Sequence, residues 1–132
     1  MREALFGIVM VSHSQKLAEG VVALVHMIAK DAVAIPAGGL DDGGLGTSFD
    51  KIQKAITQAN TGDGVAVLMD MGSAVMTAEM VVESLDREDV KLIDAPLVEG
   101  ATLAASYVAM GKTLSDFVQH APDAYNARKF QS

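Results

Sequence analysis

The chain has 132 residues, 50% of them apolar and 20% charged, with 17 acidic against 10 basic side chains, a formal charge of −7 and no cysteine. The apolar share excludes intrinsic disorder. The missing thiols exclude a disulfide scaffold, a Cys-based zinc or iron–sulfur site and a cysteine nucleophile, and the negative surface argues against nucleic acid and for a basic protein partner. The length fits a single domain over residues 1–132 that buries roughly two-thirds of the surface its unfolded form exposes.

In chain order, residues 5–11 (LFGIVMV) form a continuous apolar run, the pattern of a strand buried on both faces. Residues 14–30 follow as a helix with Leu17, Val21, Leu24, Val25 and Ile28 on one face. A short second strand is predicted over 32–35, then a glycine-rich loop over 38–48 (GGLDDGGLGTS) that opens a helix over 49–60 with Phe49, Ile52 and Ile56 inward. Residues 62–64 turn into a third strand over 65–69, and a third helix over 73–85 sets Val75, Ala78, Val82 and Leu85 on one side. A fourth strand over 90–93 precedes helical runs over 97–110 and 114–120, broken near Gly111. Strict β-α alternation predicts a three-layer α/β/α fold with a mainly parallel four-stranded sheet; the strand order expected is 2-1-3-4.

Uncharged runs reach only about a dozen residues, such as 100–111, short of the ~20 a membrane span needs. The first ten residues carry Arg2 and Glu3 and run into a strand pattern, so no signal peptide and no membrane partner are expected. Without cysteine, the expected compartment is the cytoplasm.

In an open parallel sheet, ligands bind past the carboxyl ends of the strands. That points to Ser12, His13 and Ser14 after strand one, Gly46, Thr47 and Ser48 at the end of the glycine loop, residues 70–73 after strand three and 94–96 after strand four. His13 is a nucleophile or proton carrier available at neutral pH. Asp70 has two readings: a carboxylate that fixes one ring nitrogen of His13 and frees the other, or an N-cap of helix three, a role for which Ser73 competes. The steps Gly46-Thr47-Ser48 and Gly72-Ser73 each open a helix whose free N–H groups favour an anion. Together with His13 they suggest a phosphoryl site. No Walker lysine and no G-x-G-x-x-G step after strand one are present. His26 and His120 read as surface residues. The eight methionines read as core filling, with Met69, Met71, Met76 and Met80 close enough in sequence to line an interface instead.

The segments GIVMVSHSQKLAEGV (7–21), AGGLDDGGLGTSFDKI (37–52) and DGVAVLMDMGSAVMTAEM (63–80) resemble the phosphocarrier subunits of phosphoenolpyruvate-dependent dihydroxyacetone kinases, the DhaM family. The first domain of that family is similar to the mannose-class EIIA domains of the bacterial phosphotransferase system. The resemblance implies that His13 takes a phosphoryl group from HPr and passes it to ADP held on the DhaL subunit. DhaL then phosphorylates dihydroxyacetone bound on DhaK. It also implies that Asp70 orients His13, that Gly39, Gly46, Thr47 and Ser73 surround the phosphoryl group, that the chain itself needs no cofactor, and that it forms a homodimer. A chain of this length would be the single-domain form. The rival readings are a mannose-class EIIA of a sugar transporter, a receiver domain phosphorylated on Asp70, a flavodoxin-like FMN binder and a plain interaction module. The receiver reading lacks the acidic pair after strand one, where Ser12 and His13 stand.

Overall fold

The computed structural model describes residues 5–130. Strand β1 (Gly7–Ser12) is buried along its whole length, as a continuous apolar run requires when helices cover both faces of a sheet. It leads into helix α1 (Gln15–Ile28), then strand β2 (Ala34–Gly38), helix α2 (Phe49–Ala59) and strand β3 (Val65–Met69). Helix α3 (Ser73–Leu85), strand β4 (Val90–Leu92), helix α4 (Leu97–Ala109), helix α5 (Leu114–His120) and a 3-10 turn (Ala121–Asn126) complete the described chain. All strand pairs are parallel and the order is β2-β1-β3-β4, so the expected fold class and strand order hold.

Alternation along the central strands sends successive side chains to opposite faces. Ile8, Met10, Ala66 and Leu68 pack with α1, α4 and α5, where Phe117 and Phe6 stack at 5.6 Å between ring centroids. Val9, Val11, Val65 and Val67 pack with Ile52, Ile56, Ala74, Ala78 and Val81 of α2 and α3. Three layers therefore share two apolar seams, one on each side of the sheet.

Four local expectations need correction. The second strand runs over 34–38 rather than 32–35. Pro36 lies within it, but β2 is an edge strand, where a residue without an N–H is tolerated, and its pairing with β1 continues as far as Ser12 and Gly38. The line that α3 buries is Ala74, Ala78 and Val81. Small alanines at that spacing let the helix lie close to the sheet, which leaves Val75 38% exposed. On α1 the buried line is Ala18, Val21 and Val25, with Leu17, Leu24 and Ile28 at the rim. The methionines are mostly not core: Met10 is buried, but Met27, Met71, Met76, Met80 and Met110 are exposed. The closing 3-10 turn was not anticipated, whereas the break at Gly111 was, and its φ of 72° suits glycine. Among the described residues no helix is long and apolar enough to cross a membrane.

Candidate functional site

The chain leaves β1 for β2 through α1 on one face, and returns to β3 through α2 on the other. A crevice opens between the carboxyl ends of β1 and β3, the switch point of an open parallel sheet. His13 follows β1 directly and Asp70 follows β3 directly. The Asp70 backbone N–H donates to the Val11 carbonyl at 3.0 Å, which sets the two residues at the same level.

The Asp70 carboxylate accepts four hydrogen bonds. The Ser12 hydroxyl donates to Oδ2 at 2.9 Å and the His13 backbone N–H donates to the same oxygen at 3.0 Å. Oδ1 accepts from the Met71 backbone N–H at 2.7 Å and faces His13 Nδ1 at 3.0 Å. Burial pushes the Asp70 pKa up, but the hydrogen bonds, led by that of the His13 backbone N–H, outweigh it and hold the carboxyl below its ordinary value. An ionised carboxylate can only accept. The ring nitrogen facing it, Nδ1, therefore carries the proton and Nε2 carries the lone pair. Nε2 accepts a bond from the Ser73 hydroxyl at 2.7 Å. The side chain of His13 is 26% exposed and that of Asp70 11%, so the ring edge is open while the carboxylate behind it is sheltered.

Ser73 is the first residue of α3. The residue before it, Gly72, is the N-cap, with φ 48° and ψ −114° and no side-chain capping bond. Neither Asp70 nor Ser73 caps the helix, so the capping alternative falls away: Asp70 spends itself on the histidine and Ser73 on Nε2. No side chain caps the amino end of α3, and its partial positive charge lies beside the ring.

The other three sequence-predicted residues act at one remove. Gly46 donates its N–H to the His13 carbonyl at 2.8 Å, and Gly39 donates to the Ser12 carbonyl at 3.1 Å. Their φ values of 144° and 76° lie where glycine is favoured. Thr47 pairs its hydroxyl with that of Thr77 at 2.9 Å, and Thr77 donates to the Ser73 carbonyl at 2.9 Å. The structure thus brings His13, Asp70 and Ser73 into direct contact, and ties Gly39, Gly46 and Thr47 to the backbone around them. Lys51 holds the glycine loop down by donating from Nζ to the carbonyls of Gly38 and Leu40 at 3.1 and 2.8 Å.

Sequence reasoning placed Ser12 in this region without giving it a role. Its side chain is fully buried, and its hydroxyl both donates to Asp70 and accepts from the Ser14 N–H at 3.0 Å. The available signal was a hydroxyl closing an otherwise apolar strand. Thr77 and Lys51 were also missed, because each sits inside an ordinary helical pattern. His26 lies on the exposed face of α1 with Nε2 on the Ala32 carbonyl, and His120 is exposed at the end of α5, so neither joins the site. Among the described residues no group of three or more His, Asp or Glu side chains is placed to hold a metal ion.

The chain is similar to known proteins over most of its length. The family model described as the phosphotransferase-system fructose IIA component, EIIA-man, matches residues 7–118. The chain is 39% identical to the "PTS-dependent dihydroxyacetone kinase, phosphotransferase subunit DhaM" of Lactococcus lactis, over 82% of this chain and 86% of that one. It is 40% identical to the "PEP-dependent dihydroxyacetone kinase 1, phosphoryl donor subunit DhaM" of Listeria innocua, over 80% of this chain and 83% of that one. Among solved structures, a protein of unknown function titled EF1359 superposes with a TM-score of 0.85 and 28% identity, over 97% of this chain and 99% of that one.

Proposed function

The chain belongs to the EIIA-man family of phosphotransferase-system components and, within it, to the phosphoryl donor subunits of dihydroxyacetone kinases, and on that premise we propose that His13 is its phosphoryl carrier. In this reading the Nε2 lone pair attacks the phosphorus of a phosphohistidine on HPr. The new Nε2–P bond forms as the donor's N–P bond breaks, and the donor leaves as free imidazole. The same group then passes to a terminal oxygen of ADP on DhaL, making ATP there for the phosphorylation of dihydroxyacetone on DhaK. No proton need leave the ring in either step, because Nδ1–H stays on Asp70 throughout. Both steps also need the surface around His13 to admit a partner, and the open ring edge supports that.

The observation that carries this reading is the 3.0 Å contact between His13 Nδ1 and Asp70 Oδ1. It selects the tautomer whose Nε2 is nucleophilic, and it keeps a negative charge behind the ring when phosphorylation makes it cationic. Phosphoryl transfer asks a protein for positioning and charge stabilisation rather than for covalent help beyond the carrier. Ser73 supplies a donor beside Nε2, and the amino end of α3 supplies a favourable dipole. The acidic surface, with its formal charge of −7, supports docking onto a basic face of a partner. The family model's own description, a fructose IIA component, favours one second reading, a sugar-transport EIIA that differs only in its acceptor.

The test is the intact mass of the chain after incubation with phosphoenolpyruvate, enzyme I and HPr, then with ADP-loaded DhaL. The proposal predicts one acid-labile phosphoryl group that is absent in His13→Ala and is removed by DhaL. A group that forms and resists DhaL would favour the sugar-transport reading. No group at all would overturn the carrier role of His13.

A further inference from the structure

Between the carboxyl ends of β3 and β4 and the first turns of α3 lies a groove of about 390 Å³. Asp70 forms part of its wall, so the groove and the His13 ring lie on opposite sides of one carboxylate. Its lining combines the apolar side chains of Val75, Leu92 and Pro96 with Glu79, Asp94 and Tyr125. The Tyr125 hydroxyl donates to Asp94 Oδ1 at 2.7 Å, which fixes the position of that carboxylate. Among the described residues no Lys, Arg or His makes an ion pair with Glu79 or Asp94.

On the phosphocarrier reading, on which this inference rests, a protein donor must bring its phosphoryl group to bonding distance of Nε2. A standard interface covers about 800 Å² of each partner, a disc of roughly 16 Å radius. Centred on Nε2, such a disc covers the groove on the far side of Asp70. The Glu79 and Asp94 carboxylates then lose water. Two desolvated, unpaired carboxylates beside a third are costly unless a cation meets them. A groove lined by both apolar side chains and carboxylates fits a side chain with an aliphatic stem and a cationic head. We propose that this groove is the docking pocket for a lysine or arginine side chain of the protein that delivers the phosphoryl group. Its stem lies along Val75, Leu92 and Pro96, and its head reaches Glu79 and Asp94. The pocket places the donor relative to His13 without touching the transferred group.

The test compares three forms of the full chain as acceptors from phosphorylated HPr by rapid quench: the wild type, Glu79→Gln with Asp94→Asn, and Asp31→Asn with Glu88→Gln. The last pair removes the same charge at the other end of the molecule, in the loops that enter β2 and β4 at their amino ends. The groove variant should lose about tenfold in kcat/KM, with the loss in KM and a flatter dependence on salt. The control should stay within about twofold of the wild type, as expected for charges outside the interface. Equal behaviour of the two double variants overturns the proposal. So does a groove variant that accepts from HPr normally and is slowed only in passing the group to ADP-loaded DhaL, since the groove would then serve the acceptor. Phosphoramidate, a small donor that needs no docking surface, is tested on the wild type alone. If it and HPr both fail to label His13, the carrier reading itself has failed, a result distinct from either outcome above.

Discussion

As the proposed phosphoryl carrier, His13 needs three things from its surroundings: a fixed tautomer, an open face and a counter-charge. Asp70 supplies the first and third, because four donors converge on its carboxylate and hold its pKa down despite burial. Asp70→Asn keeps the shape but loses the charge. It should slow phosphoryl transfer from HPr by about 10²–10⁴-fold, the range expected when an essential proton arrangement is lost, as read by rapid quench with the fold checked by circular dichroism. Asp70 also ties stability to pH. Its folded pKa lies below the unfolded value of about 3.9, so its stabilising contribution is complete above that value and is lost as pH falls through the folded pKa. The stability difference between wild type and Asp70→Asn, from urea unfolding, should hold steady from about pH 7 to 5 and shrink below about pH 4.

At the scale of elements, the site is where three segments are tied together: the end of β1, the glycine loop and the first turn of α3. The ties are the bond from the Gly46 N–H to the His13 carbonyl and the relay from Thr47 through Thr77 to the Ser73 carbonyl. Thr77→Val keeps the shape of the side chain and removes the hydroxyl. It should cost about 1 kcal/mol and raise hydrogen exchange selectively across residues 39–48, while β1 stays protected. The order and type of the elements were legible because strands buried on both faces read as apolar runs and the helices between them as 3.6-residue patterns. The parallel sheet followed from the connection rules, which several strand orders satisfy, and His13 and Asp70 followed from their places at the ends of β1 and β3. What was not legible depended on neighbours. Which line of α3 faces the sheet turned on how closely alanines let it approach. Whether Asp70 capped a helix or held a ring turned on a partner 57 residues away in sequence. Ser12 gained its role only when β3 came alongside β1.

Across the whole molecule, the site sits at one end of the sheet, while much of the core that holds the sheet together lies elsewhere. On the α1–α4 side, α5 anchors through Phe117, fully buried against Phe6 and Tyr107. Phe117→Ala should cost about 3–5 kcal/mol, seen as a lower urea midpoint with the slope unchanged, and His13 in the surviving folded fraction should still accept a phosphoryl group. Three of the five exposed methionines, Met71, Met76 and Met80, lie with Glu79 on or just before α3, on the other side of the sheet, and give that face an adaptable apolar surface. The account as a whole stands on which atom of which histidine becomes phosphorylated. The most direct measurement is the nitrogen–phosphorus coupling in the NMR spectrum of the phosphorylated chain, labelled with nitrogen-15 in its histidines. The account predicts a one-bond coupling to Nε2 of one ring, lost in His13→Ala, with Nδ1 of that ring still protonated. Coupling to Nδ1, or to a ring of His26 or His120, would contradict it.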